Sequence, residues 1–505
     1  MRVVGGPTDR IVVVGAGLAG LASALHLAGR GREVTVVERN ATPGGRAGRL
    51  DLGGYRLDTG PTVLTMPDVV ADTLAAVGEA LADRLDLHPV HPAYRAQFAD
   101  GSRLDVHSDP EAMTGAVREF AGPADAEGYR RLRSWLTKLY RLEFDRFVAA
   151  NTDSPFSLLT PSLARLAAMG AFGRLERAIG RFLRDERLRR VFSFQSLYVG
   201  LSPQHALAAY AVISYMDTVA GVSFPRGGMR ALPDALAAAA CAAGVRFHYR
   251  STVVALEKSG SRVRAVRTAD GRRFPADAVV LTTELPLAYR LLGRTPRRPL
   301  RLRAAPSAVV LHVGARQQWP DTAHHTILFG EKWRATLREL IWDGSLMSDP
   351  SLLVTRPTAT DPALAPEGRD LVYILAPAPN SERGRIDWDR VTSPYVEELL
   401  AHVSTRLLPG VDAAVEVSHA VTPADWERAG MVGGTPFALA HTAAQTGPFR
   451  PRNLPRGVEN AVLAGGSTVP GVGVPTTLIS GRLAADRITG TARPARTVLG
   501  PAATR

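Results

Sequence analysis

The chain has 505 residues, 45 % apolar and 22 % charged, an ordinary globular composition with room for two or three domains. Its formal charge of +13 comes almost wholly from arginine, with lysine only at Lys138, Lys258 and Lys332; no RNP-like aromatic motif, zinc spacing or basic block accompanies it, which argues against nucleic acid. Cys241 is the only cysteine, which excludes an intrachain disulfide and a cysteine-based metal site, and its alanine-rich surroundings give no sign of covalent cofactor attachment.

Residues 11–14 are an apolar, β-branched run that reads as a buried parallel strand. Gly15, Gly17 and Gly20 follow at G-x-G-x-x-G spacing, for a tight turn, backbone approach to a pyrophosphate and close helix–strand packing. Leu18, Leu21, Leu25 and Ala28 recur on one helical face, and Gly29 and Gly31 end the helix. Residues 33–37 give a second strand, and Glu38 arrives 18 residues after Gly20. A carboxylate there accepts hydrogen bonds from an adenosine ribose and repels a 2′-phosphate. Gly44-Gly45-Arg46 comes six residues later; NAD enzymes have no obvious need of it, whereas FAD enzymes run such a segment along the ribityl–diphosphate. Non-covalent FAD is therefore the predicted cofactor.

Residues 55–58 alternate as a strand would, 59–62 turn, and 68–81 read as a helix. From 109 to about 201 the pattern is helical and basic. Leu175, Ile179, Phe182 and Leu183 fall on one arc there and Arg174, Arg177, Arg181 and Arg184 on the other. That pattern fits a core-packed helix with a solvated basic face, or an interfacial helix with arginines at lipid headgroups. Residues 246–283 give several strands joined by Gly-bearing hairpin turns, the last, 278–282, returning to the nucleotide sheet. Residues 459–488 read as strand, Gly465-Gly466 turn, glycine/proline loop and helix, whose N-terminus is placed to stabilise negative charge on a flavin. No stretch of ~20 apolar residues is free to span a membrane. The first strand begins too early for a signal peptide, so a cytoplasmic protein is expected.

This order predicts an α/β protein: a Rossmann-type FAD-binding domain interleaved with an α+β substrate domain. The first takes residues 1–70, 224–285 and 456–490, the second 71–223 and 286–455, and 491–505 form a flexible tail.

Beyond the fingerprint, several blocks carry a more specific signal: GYRLDTGPTVLTMP (54–67), DERLRRVFSFQSLYVG (185–200), FPRGGMRALPDAL (224–236), AHHTILFG (323–330), TDPALAPEG (360–368), GPFRPRN (447–453) and AGGSTVPGVGVPTTLISGRLAA (464–485). With these the chain resembles, over nearly its whole length, the bacterial-type phytoene desaturases of carotenoid synthesis, within the amine-oxidase-like flavoproteins. The resemblance implies FAD-dependent desaturation of 15-cis-phytoene, a C40 polyene, in successive steps toward neurosporene or lycopene. It further implies peripheral attachment at the inner face of the cell membrane, where that substrate dissolves, through basic amphipathic helices. A quinone or dioxygen must accept the electrons. By matching motif, Gly15, Gly17, Gly20, Glu38, Gly45, Arg46, Gly60, Pro61, Val253, Gly465, Gly466, Gly473 and Val474 would line the FAD, Arg46 neutralising its diphosphate. His324, His325 and Asp361 are candidates for a base because they sit in family blocks, with backbone-bonded structural roles as the alternative. Phe192, Phe194, Tyr198 and Tyr210 line a polyene tunnel or belong to the core. The competing readings are a late-step desaturase, ketolase or isomerase of carotenoids, an amine or protoporphyrinogen oxidase, and an isoprenoid carrier like the GDP-dissociation inhibitors.

Overall fold

The computed structural model describes residues 1–295 and 301–490, so the tail expected at 491–505 lies outside the described residues. Five short strands form one parallel sheet, in the spatial order Ala461–Leu463, Ala278–Leu281, Arg10–Val14, Glu33–Val37, Arg246–His248. They come from the beginning, the middle and the end of the chain, and the first is buried at every position from Ile11 to Val14. Continuous apolar runs suit a parallel sheet covered on both faces. The helices Leu18–Ala28 and Val474–Thr489 pack against each other beside this sheet, where Ser23 Oγ contacts the carbonyl oxygens of Ala19 (2.8 Å) and Gly481 (3.2 Å). A small antiparallel sheet, Val253–Ser259, Arg262–Thr268 and Arg273–Pro275, adjoins them.

The second large sheet has seven strands, in the order Val415–Val421, Ser307–Ala315, Asp370–Ala378, Leu352–Thr355, His325–Leu328, Tyr94–Gln97, Arg103–Val106. All its pairs are antiparallel except that between Tyr94–Gln97 and His325–Leu328. Its side chains alternate in destination, as the two-residue period of a strand requires. Val309, Leu311, Leu352, Val372 and Ile374 enter a core with the helix Trp388–Arg406, whereas Val310, Leu353, Tyr373 and Leu375 face a large cavity. Helices including Pro123–Glu143 and Ala211–Thr218 contribute further wall to that cavity.

Two expectations need correction. The helix read at 68–81 is two pieces, Pro67–Ala75 and Leu81–Arg84, because the chain breaks at Gly78 with φ of 83°. The basic amphipathic segment is helical only over Leu175–Gly180, and Leu175, Ile179 and Leu183 are at most 1 % exposed within the main core. The Arg184 amide donates to the buried Asp125 carboxylate at 2.5 Å, holding the segment against the helix Pro123–Glu143. An apolar face already packed inside the protein has none left to offer a membrane.

Candidate active site

A cavity of about 1230 Å³ runs between the parallel sheet, the seven-stranded sheet and the helices. Ordinary small-molecule pockets hold about 300–1,000 Å³, so this one has room for a nucleotide cofactor together with a second long ligand.

One end is the glycine-lined cradle expected for the cofactor: Gly15, Gly17, Glu38, Gly45, Arg46, Gly60, Pro61, Val253, Gly465, Gly466, Gly473 and Val474 all line it. Gly20 does not; a Cβ there would lie 1.9 Å from the Gly15 carbonyl oxygen, so its part is to let the helix approach the strand. The Glu38 carboxylate is buried and accepts from the Ala16 amide at 2.7 Å and the Asn40 amide at 2.8 Å. Each oxygen accepts two hydrogen bonds, so this fixed carboxylate keeps capacity for ribose hydroxyls. The first and last helices both begin at the cradle without a side-chain cap, Gly17 and Gly473 being their N-cap residues. Uncapped N-termini present free amides and a partial positive charge, the setting a diphosphate or an electron-rich ring edge needs. Arg46, read from sequence as the diphosphate's counter-ion, is engaged here by Glu284.

Arg450, from the GPFRPRN block, is 2 % exposed and explains why that block matters. Its Nε donates to the Thr468 carbonyl at 2.9 Å and its Nη2 to the Gly466 carbonyl at 2.5 Å, which fastens the loop 465–473 to the 439–450 segment. The planar fork of a guanidinium suits two such carbonyls at once.

Away from the cradle the wall turns apolar, with Leu158, Leu163, Leu166, Val212, Ile213 and Met216. Phe172 and Phe449 line the cavity while remaining 50 % and 57 % exposed, so they stand where it meets solvent. Phe156 and Leu159, on either side of the lining segment at Leu158, are 80 % and 70 % exposed. Of the four tunnel candidates, Tyr198 and Tyr210 line the cavity. Phe192 packs on Tyr129 and Phe194 on Tyr94 and Phe329, inside the core.

None of the three base candidates reaches the cavity wall. His324 Nδ1 meets Thr360 Oγ1 at 2.6 Å and His325 Nδ1 meets Thr355 Oγ1 at 2.9 Å. Burial pushes His324 down to about 3 and His325 well below the ordinary histidine range. Asp361 accepts from the Gly227 amide at 2.7 Å and caps the short turn Pro362–Leu364, tying two family blocks together.

Other titratable groups do line the cavity, Glu143, Asp217 and His441 among them. Glu143 ends its helix where the backbone passes into a π turn, Phe144–Val148; its Oε1 is buried without a partner, and burial holds the carboxyl well above the usual range. Such π insertions into helices often mark functional sites. Asp217 accepts from the Tyr94 hydroxyl at 3.2 Å and is pushed up to about 7 by burial. His441 lies 3.0 Å from the Tyr210 hydroxyl. No motif announces any of them. Each stands singly in a helical or loop segment, where a charged residue ordinarily reads as solvated surface.

Comparison with known proteins now bears directly on this geometry. A profile described as flavin containing amine oxidoreductase matches residues 18–489. The chain is 63 % identical to a phytoene dehydrogenase of Streptomyces griseus, with 97 % of each chain covered. It belongs to the flavin-containing amine oxidoreductases, and among them to the phytoene desaturase family. The protein is therefore a flavin-dependent oxidoreductase, as the fingerprint and the Gly44-Gly45-Arg46 extension indicate. A zeta-carotene-forming phytoene desaturase of Myxococcus xanthus is 37 % identical, covering 95 % of this chain and 93 % of its own. The fold is also that of cyclohexylamine oxidase from Brevibacterium oxydans, at a TM-score of 0.56 and 17 % identity, covering 95 % of this chain and 98 % of that one. Among the described residues no helix is long and apolar enough to cross a membrane.

Proposed function

We propose that this protein is an FAD-dependent desaturase that introduces successive double bonds into 15-cis-phytoene to give neurosporene or lycopene, holding its cofactor non-covalently. The observation that carries this reading is the single cavity that joins a dinucleotide cradle to an apolar passage opening beside Phe172 and Phe449. A hydrocarbon needs apolar walls, and its oxidation needs those walls to end at the cofactor.

Bound FAD supplies a hydride acceptor. The chain's own residues bind, orient and exclude water. Glu38 would accept hydrogen bonds from the adenosine ribose, and the glycines of the cradle would admit the diphosphate to the helix N-terminus at Leu18. Arg450 fixes the loop 465–473, and with it the helix N-terminus at Val474, whose amide would be available to the bound cofactor. The apolar wall, Val212, Ile213 and Met216 among it, aligns the extended chain and keeps water from a developing carbocation, which the substrate's own π system stabilises. The substrate enters from the inner face of the cytoplasmic membrane, to which Phe156, Leu159, Phe172 and Phe449 attach the protein. A quinone or dioxygen reoxidises the cofactor.

Expression in a phytoene-accumulating host, followed by pigment analysis, tests the reading. Neurosporene or lycopene supports it, zeta-carotene as end product corrects the number of steps, and unchanged phytoene refutes it.

A further inference from the structure

The helix Ala211–Thr218 turns Val212, Ile213, Met216 and Asp217 to the cavity, the spacing of a single helix face. Three of the four suit a hydrocarbon, and the fourth is a carboxyl group. Its one hydrogen bond among the described residues comes from the Tyr94 hydroxyl to Oδ2, at 3.2 Å. Oδ1 has no partner there, and unlike Glu143 Oε1 or His441 Nε2 it is not fully covered. The side chain is 3 % exposed and lines the cavity, so that oxygen shows its surface to the passage.

The elements that hold Asp217 lead on both sides to the cradle rather than to the mouth. Burial first, and the Asp217 carboxylate second, hold the Tyr198 phenol above its ordinary range, so the two side chains are neighbours. The carbonyl of the next residue, Val199, accepts from the His441 amide at 2.9 Å, and the His441 ring fills the space beside Gly471 in the loop 465–473. On the other side the Tyr94 ring packs edge-on against Phe194 and beside His325, with centroids 5.9 and 5.5 Å away. His325 meets Thr355, whose Oγ1 lies 3.4 Å from Thr62 Oγ1, next to Pro61 of the cradle. Tyr94 is therefore a fixed donor, and it both aims the carboxylate and supports its ionised form. Glu143 lines the same cavity, but neither of its oxygens receives a hydrogen bond among the described residues, so no donor supports a carboxylate there. A buried carboxylate without a counter-ion costs the fold stability, and cavities that work on protons are where such groups are kept.

We propose that Asp217 Oδ1 accepts the proton released in each dehydrogenation, with Tyr94 as the residue that positions the carboxylate. The inference rests on the desaturase reading above. One C–H bond breaks with both electrons leaving as hydride to the flavin. The neighbouring C–H bond breaks with its proton moving to Oδ1, and its electron pair becomes the new C=C bond. The carboxylic acid so formed returns its proton to water that enters when product leaves.

Asp217→Asn keeps an acceptor for Tyr94 and removes the base. Flavin-loaded protein is mixed anaerobically at pH 8 with phosphatidylcholine vesicles containing phytoene, and bleaching of the flavin is followed. Burial raises Asp217 to about 7, so the carboxylate prevails at that pH. Asp217→Asn is expected to bleach about 100-fold more slowly or worse, and Tyr94→Phe about tenfold more slowly. Glu143→Gln should bleach at least about tenfold faster than Asp217→Asn. Dithionite supplies electrons without breaking a C–H bond, and it should bleach all of these proteins at the wild-type rate. Bleaching of Asp217→Asn by phytoene at the wild-type rate overturns the inference, as does a slowing by Glu143→Gln that equals it. A dithionite reaction slowed by the same factor as the phytoene reaction overturns it too, since the defect would then lie in the flavin site. If phytoene fails to bleach even the wild type, the desaturase reading fails and this inference falls with it.

Discussion

At the scale of single residues, the cavity wall holds groups whose ordinary chemistry burial has changed. Asp217 is 3 % exposed, and burial raises its folded-state value to about 7, above the 3.8 of an unperturbed aspartate. The folded protein therefore binds a proton that the unfolded chain releases. That contribution to stability is complete below pH 4 and is lost as pH rises through 7. Asp217→Asn still offers the Tyr94 hydroxyl an acceptor but carries no charge to desolvate. It is expected to match the wild type near pH 4 and to exceed it by roughly 2–4 kcal/mol at pH 8, read from chemical unfolding at both pH values. Asp58, also pushed to about 7 by burial, titrates in both proteins and cancels in the comparison. Equal stabilities at pH 8 would show that Asp217 is ionised in the fold. Arg450 makes a second residue-scale prediction. Lysine carries all its donors on one nitrogen and cannot occupy the separate Nε and Nη2 positions that meet the Thr468 and Gly466 carbonyls, so Arg450→Lys should lose roughly 2–4 kcal/mol of stability. Its flavin affinity should fall at least about tenfold, measured by recovery of flavin fluorescence; unchanged affinity would mean that the loop holds its shape without the clamp.

At the scale of elements, the legible parts of the sequence are those whose local pattern and final environment agree. The strand–glycine–helix–strand–acid order around Gly15 to Glu38 is such a case, because a buried parallel strand and an uncapped helix each leave a direct trace in residue type. The helix Val474–Thr489 is another, its start marked by Gly473 and Pro475. The segment around Leu175–Gly180 leaves two readings open in the sequence, of which the core-packed one holds, for an equally physical reason: helical periodicity reports that one face is apolar, and is silent on whether protein or lipid covers it. The lipid-facing candidates are instead short and aperiodic, Phe156 and Leu159 beside the turn Pro155–Leu158, and no period marks them. Replacing both, Phe156→Asp with Leu159→Asp, should lower partition onto anionic vesicles at least about tenfold in a sedimentation assay, with flavin content unchanged. Wild-type vesicle binding by that variant would move the attachment surface elsewhere. His324, His325 and Asp361 carry a related lesson. Residues that sit within family blocks hold blocks together as readily as they hold substrate, and Asp361 bridges to Gly227 in that way.

At the scale of the whole molecule, function depends on pieces that are remote in sequence. The first and last helices meet through Ser23 and Gly481, 458 residues apart, and both their N-termini open into the cradle. The second sheet turns one set of alternating side chains to its own core and the other set to the cavity, so fold and site share the same strands. Motif and spacing expose the cradle in the sequence. The passage, by contrast, is assembled from single residues on many elements, and Glu143, Asp217 and His441 acquire a meaning only once those elements are packed. The central claim is that this one cavity brings a flavin and a long polyene together for transfer of hydrogen. Its most direct measurement is anaerobic titration of the FAD-reconstituted protein with 15-cis-phytoene in vesicles, following flavin absorbance and polyene spectrum together. The account predicts that the flavin bleaches as the conjugated chromophore lengthens, one new double bond for each flavin consumed. A flavin that stays oxidised in the presence of phytoene, or bleaches with no change in the polyene, would contradict it.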